Sequence, residues 1–362
     1  MGAVASIYGP LLNAFSHRFN ESIPTAGLVI SVNFVGALLG VLLGWIGVRR
    51  VTGEVVLSTA AALLAVGALV SALTRSWILF LGAVFVIGLG FGGLDFSLNT
   101  LLTRTSQQGR ALRLNVANAG YGVGAVLGPL LVVWLRPRNF QGIFAIIGAI
   151  GLVVAILNRG AHAPALRGEL NQRRISLRKA ERRPILITFV FAYVLYVSLE
   201  TSSSGWMATQ LHGVGYSESV SSIVTAGFWA GLALGRGFGT PIYHWLSEKT
   251  LVLGGLALAT ILSMLAYSGA MAPYAYPVLG LVIALIFPMG LLWYSELCPN
   301  DNDGLALMIL FMMAGGILGP GLESLMVSHF GVRVVPIVVA IFALVNFAVF
   351  ASALRFRSLA EA

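Results

Sequence analysis

Charge is what this sequence has least of. Charged residues fill 10% of its 362 positions, where a soluble chain carries about a quarter. Hydrophobic residues fill 58% and mean hydropathy is +0.90. That balance leaves too little polar surface for a dissolved globular protein and makes lipid the solvent. Cysteine is almost missing too. Cys298 stands alone, which rules out an internal disulfide framework or a multi-cysteine metal site. The five histidines, His17, His162, His212, His244 and His329, are scattered without ligand spacing, so no metal site is expected. There is no nucleophile paired with a histidine and no phosphate-cradling loop followed by Lys-Ser/Thr. The glycine-rich run at 88–93 lies inside an apolar stretch with no strand before it, which removes a nucleotide-loop reading. An enzyme is therefore not expected. The first apolar stretch has no basic leader or small-residue cleavage pattern, so no signal peptide is expected either.

Long apolar runs are what the chain does have. Stretches able to span about 30 Å of hydrocarbon fall at roughly 1–17, 25–47, 54–73, 77–102, 112–135, 140–158, 185–210, 218–240, 250–270, 273–297, 304–328 and 332–354. The fold class is an all-α integral membrane protein of about twelve transmembrane helices. The chain begins inside what should be a full first span, so that helix reads as truncated, with a start placed about ten residues late. If the loops after the even-numbered stretches share a side with the C-terminus, that side holds seventeen of the 22 lysines and arginines. The asymmetry puts both termini in the cytoplasm, with the plasma membrane as location. It also accounts for the +9 net charge without nucleic acid as a partner. Arg236 and Arg113 lie near cytoplasmic helix ends and read as loop or headgroup contacts. The polar segment His162–Arg183 holds seven basic residues and reads as a linker along anionic headgroups. The expected organisation is a six-helix half at 1–160, a basic linker at 161–183 and a second half at 184–362.

Two pairs of motifs repeat at matching offsets. Gly36-Ala-Leu-Leu-Gly40 and Gly231-Leu-Ala-Leu-Gly235 are 195 residues apart. Gly124-Ala-Val-Leu-Gly128-Pro129 and Gly315-Gly-Ile-Leu-Gly319-Pro320 are 191 apart. Small residues four apart let helix backbones approach closely, and each falls in the equivalent helix of its half. The pattern is that of a six-plus-six duplication, the architecture of alternating-access carriers. Pro288 in the tenth stretch predicts a break in that helix.

With these motifs the chain resembles the major facilitator superfamily over essentially its whole length. Gly40, Gly47 and the basic pair Arg49-Arg50 match that family's helix 2–3 loop signature. Gly44 and Trp45 stand where an acidic and a basic residue are usual, so the charge-relay gate of that loop is not carried over. Gly120-Tyr-Gly-Val-Gly124 through Pro129 is similar to the family's helix 5 signature. Gly88-Leu-Gly90-Phe-Gly92-Gly93-Leu-Asp95-Phe-Ser-Leu-Asn99-Thr100 and Glu200-Thr-Ser-Ser-Ser-Gly205-Trp206 resemble the fucose and sodium-glucose type sugar permeases. The resemblance implies a permease: alternating-access transport of a small polar solute, a sugar, coupled as a symporter to a proton or sodium gradient. No other cofactor is called for, and the expected partners are the solute and the lipid bilayer, with a functional monomer. An exporter of amphipathic compounds and a non-transporting membrane sensor or scaffold are the alternatives.

Acids at bilayer depth mark candidate sites, because each costs about 2.5–3.5 kcal/mol to insert. Asp95, Glu200, Glu296 and Glu323 qualify. Asp95, Glu200 and Glu323 are the ion-coupling candidates. Asn99, four residues from Asp95, shares its helix face. Glu200 could accept solute hydroxyls while Trp206, six residues on, stacks against a sugar ring. Asn99, Asn118, Glu200, Trp206 and Tyr294 are the solute-binding candidates.

Overall fold

The structure is a computed structural model of the chain, and it describes residues 1–104, 110–135, 139–158, 183–243, 245–299 and 301–356. The 161–182 part of the expected linker, with His162, and also His244, lie outside the described residues. The architecture is all helical: α1 (Gly2–Phe19), α2 (Ile23–Arg50), α3 (Gly53–Leu73), α4 (Trp77–Arg104), α5 (Arg110–Leu135) and α6 (Phe140–Leu157), followed by α7 (Arg183–Gly213), α8 (Glu218–Tyr243), α9 (Glu248–Ala266), α10 (Ala272–Ile283), α11 (Ile286–Leu297), α12 (Asn302–Phe330) and α13 (Val335–Ser352). Among the described residues, with α10 and α11 as two parts of one crossing, the helices make twelve crossings. Ten of these crossings are long and apolar enough to span a bilayer by length and composition. The other two are α1 and α8, and α8 is interrupted by Ser221, Ser222, Thr225 and Arg236.

Side chains at the helix starts hold several ends in place. Ser22, Thr52, Ser247 and Asp301 each accept a hydrogen bond from the backbone N–H three residues on, which satisfies a donor that the first helical turn leaves open. Gly269, with φ +71°, lies in the turn that follows α9. That turn starts at Tyr267, so α9 ends short of the expected residue 270.

The glycine repeats show their use in the packing. A Cβ on Gly36 or Gly40 of α2 would collide with the carbonyls of Phe85 or Leu89 on α4. A Cβ on Gly231 of α8 would collide with the carbonyl of Pro277 on α10, and one on Gly235 would crowd Leu281 and Ala284. Gly124 and Gly128 of α5 lie against the start of α1, while Gly315 and Gly319 of α12 lie against Val194 and Ser198 of α7. Equivalent glycines thus serve equivalent helix pairs in the two halves. The buried apolar residues follow the same division: one cluster runs mainly from Val4 to Ala155 and the other mainly from Ile185 to Ala353.

The halves differ at one crossing. Where α4 runs unbroken for 28 residues, its counterpart breaks at Ala284–Leu285 into α10 and α11. Pro288 has no N–H to offer the Ala284 carbonyl, and its ring crowds that carbonyl. Next to the break, the Tyr193 hydroxyl of α7 donates to the Phe287 carbonyl at 2.6 Å.

The halves meet along α2 and α12, along α5 and α8, and along α1 and α7, and hydrogen bonds cross between them on the side away from the C-terminus. Ser31 of α2 donates to the Ile317 carbonyl of α12 at 2.8 Å, and Ser324 of α12 donates to the Pro24 carbonyl. Phe34 rests on Gly316, the Trp206 indole fills the space over Gly27, and Gly9 of α1 abuts the backbone of Ser204 and Gly205. Among the described residues, α4 is not packed against α10 or α11, so we take the end held by the cross-half contacts as sealed and the other as parted.

Candidate solute-binding site

Four helices bring charged and phenolic groups together between the halves, below the seal. Glu200 projects from α7 and Arg236 from α8, with guanidinium Nη2 3.5 Å from carboxylate Oε2. The same nitrogen donates to the Tyr196 hydroxyl at 3.4 Å. Tyr196 precedes Glu200 by one turn, so both meet Arg236 from one face of α7. From the other half, the hydroxyl of Tyr121 on α5 lies within electrostatic reach of Glu200, Arg236 and Asp95. The Glu200 side chain is 16% exposed and that of Arg236 39% exposed, so the protein leaves the pair partly uncovered.

Asp95 occupies α4 on the N-terminal side of this gap. Asn99 donates from its amide nitrogen to the Asp95 carbonyl at 2.9 Å and to carboxylate Oδ1 at 3.3 Å. This bond orients the carboxylate and leaves the Asn99 amide oxygen available. Asn118 is exposed on α5, one turn before Tyr121 and toward the parted end. A carboxylate on each half, an arginine, two phenols and two amides together offer a small polar molecule both donors and acceptors. The cluster holds each sign of charge.

Not every candidate joins this cluster. The expectation for Arg236 is corrected: it is a partner of Glu200 rather than a loop or headgroup contact. Its place eighteen residues into α8 puts it well inside the span. Trp206 is fully buried against Gly27 of α2, so its ring faces are covered and cannot stack a solute in this state. The reason is helical: six residues turn Trp206 well away from the face of Glu200. Tyr294 is buried at the termini end of α11, where its hydroxyl donates to Asp301 Oδ2 at 2.8 Å. Asp301 in turn caps α12, so Tyr294 pins a helix junction. Glu323 is buried at the seal and not in the cluster. Sequence reasoning missed Tyr121, Tyr196 and Arg236. The signal for Arg236 was present, since it is a charge within an apolar span. The two tyrosines gave none beyond their neighbours in the chain.

Known proteins match this chain in sequence and in fold. The sequence profile of the Major Facilitator Superfamily matches residues 1–314. The glucose/mannose transporter GlcP of Bacillus subtilis (strain 168) is 22% identical over 321 residues, covering 84% of this chain and 79% of that protein. The cis,cis-muconate transport protein of Acinetobacter baylyi (strain ATCC 33305 / BD413 / ADP1) is 30% identical over 160 residues, covering 43% of this chain and 38% of its own. A bacterial homolog of the human lysosomal transporter Spinster, crystallised in an inward-facing and unoccupied conformation, superposes with a TM-score of 0.78. At 16% identity over 98% of this chain and 95% of that one, it shows the shared fold.

Proposed function

The chain belongs to the major facilitator superfamily, and from that footing we propose that it carries a small sugar across the plasma membrane by alternating access, coupled to a proton or sodium gradient. It is an integral membrane transporter and not an enzyme. The observation that carries the reading is the Glu200–Arg236 pair facing Asp95 and Tyr121 between two six-helix bundles. Hydroxyl-rich solutes are held by such mixed sets, in which carboxylates accept and guanidinium and phenol groups donate. Similarity to a glucose/mannose transporter supports a sugar as the solute. Both termini face the cytoplasm, as the lysine and arginine asymmetry implies, so the sealed end is the outer one and this state opens inward.

A second reading rests on the arginine. A guanidinium in a wet central gap also suits a carboxylate, and part of the chain is similar to a cis,cis-muconate transport protein. A small organic acid is then the solute. Uptake into proteoliposomes under an imposed proton or sodium gradient separates the two. Radiolabelled D-glucose or D-mannose should accumulate, and Asp95→Asn and Glu200→Gln should each cut the rate at least tenfold. Accumulation of cis,cis-muconate without either hexose would favour the acid. Accumulation of none of these would remove both solute assignments.

A further inference from the structure

The sealed end contains a carboxyl group that the solute site does not use. Glu323 of α12 is fully buried, and among the described residues no group meets hydrogen-bond geometry with its carboxylate oxygens, although the Ser202 hydroxyl of α7 lies close to them. It has no ion-pair partner among the described residues. The groups that face it are the Ser202 hydroxyl of α7 and the Tyr276 phenol of α10. Glu200, the nearest acid on α7, is turned to Arg236. Helix α2 has no titratable group except Arg49 and Arg50 at its far end, and α13 has none. The neighbouring residue Ser324 bonds across to Pro24, so Glu323 lies in the layer where the halves close. Ser202, Trp206 and Thr209 lie along one face of α7, and their polar side-chain atoms are likewise buried and unpartnered.

Buried polar groups without good hydrogen-bond geometry, on Glu323 and along two turns of α7, are costly for a resting structure. They make sense for a surface that meets water when the halves part at this end. An ionised carboxylate left in such a layer without a cation would cost several kcal/mol, whereas a neutral carboxyl costs far less. Closing the layer therefore requires Glu323 to hold a proton.

We propose that Glu323 is a proton-binding latch of the outer gate: closing takes up one proton from the medium on that side, and opening returns it. On opening, the carboxyl O–H bond breaks, the electron pair stays on the carboxylate, and the proton passes to water entering that mouth. The proton exchanged here returns to the side it came from, so the latch sets which way the carrier faces. Acid outside holds the outer end shut. This inference rests on the alternating-access reading and adds a regulator to it.

The test needs no solute. In a Cys298→Ala background, Ser31→Cys places a reporter thiol in the seal, and Leu73→Cys supplies an exposed reference thiol. Maleimide labelling rates of purified protein are taken as the ratio of the two across pH, which cancels the thiolate fraction common to both sites. With Glu323 present the ratio should climb with pH, approaching tenfold per pH unit at its steepest, as one-proton linkage requires. Glu323→Gln should give a low, flat ratio, and Glu323→Asp should restore a slope. A flat ratio with Glu323 present, or a slope that survives Glu323→Gln, overturns the latch while leaving alternating access intact. A reporter that never labels in any of these proteins means this end does not open, and overturns both.

Discussion

Glu200 and Glu323 sit at bilayer depth on neighbouring helices, and they have opposite surroundings. Glu200 faces an arginine and is partly uncovered by the protein. Glu323 faces a serine and a phenol in a layer closed to water. The same side chain has a cation beside it in one place and only neutral groups beside it in the other. A carboxylate inside a membrane takes its role from its partner and its wetting, and depth alone does not assign it.

Removing the partner of the paired acid should break that contrast most sharply. Arg236→Ala should abolish gradient-driven uptake, at least a hundredfold, by stripping the site and stranding Glu200. Its thermal unfolding should show a loss of about 1–3 kcal/mol, at the low end because the pair is wetted. Arg236→Gln combined with Glu200→Gln should unfold at a higher temperature than Arg236→Gln alone. If the single and double variants unfold alike, the pair is not an ionic one. Glu323→Gln should instead leave the unfolding temperature unchanged or raised, since it trades a neutral group for a neutral one.

Two glycines sharpen the comparison between the seal and the bundles. Gly40→Val drives a side chain into the Leu89 carbonyl within one half and should cost about 1–3 kcal/mol of stability. Gly316→Val meets the Phe34 ring across the halves. It should mainly hinder closure, raising maleimide labelling at Ser31→Cys with a smaller effect on unfolding. Equal destabilisation by both would mean that the seal is part of one rigid core.

The smallest effect belongs to Tyr294→Phe. Its hydroxyl serves Asp301, so the variant should lose about 1 kcal/mol of stability and keep its uptake rate. A large fall in uptake at unchanged stability would return Tyr294 to the solute site.

Much of this molecule is legible in the sequence. Twelve crossings follow from runs of apolar residues, and the repeat follows from glycines spaced four apart, because close backbone approach tolerates little else. The break before Pro288 follows from a missing N–H. The site is less legible, for a physical reason. Depth along a helix can be counted in residues, but the direction a side chain faces cannot be read from a helix whose polar residues fall on every side, as those at 200–204 of α7 do. Trp206 and Glu200 are close in sequence and turned apart in space, while Glu200 and Arg236 are 36 residues apart and meet. Asp95 and Asn99 were legible as a pair, since four residues return to the same face.

The central claim is that solute binds at the cluster of Asp95, Tyr121, Glu200 and Arg236. The most direct measurement is thermal stabilisation of the purified protein by a panel of D-glucose, D-mannose, D-xylose, L-fucose and cis,cis-muconate, with and without sodium. A ligand at 100 times its dissociation constant adds about 2.7 kcal/mol, a shift large enough to resolve. The account predicts a sugar-selective rise in unfolding temperature that Asp95→Asn and Glu200→Gln each remove. A rise that both variants retain would place the solute elsewhere and contradict it.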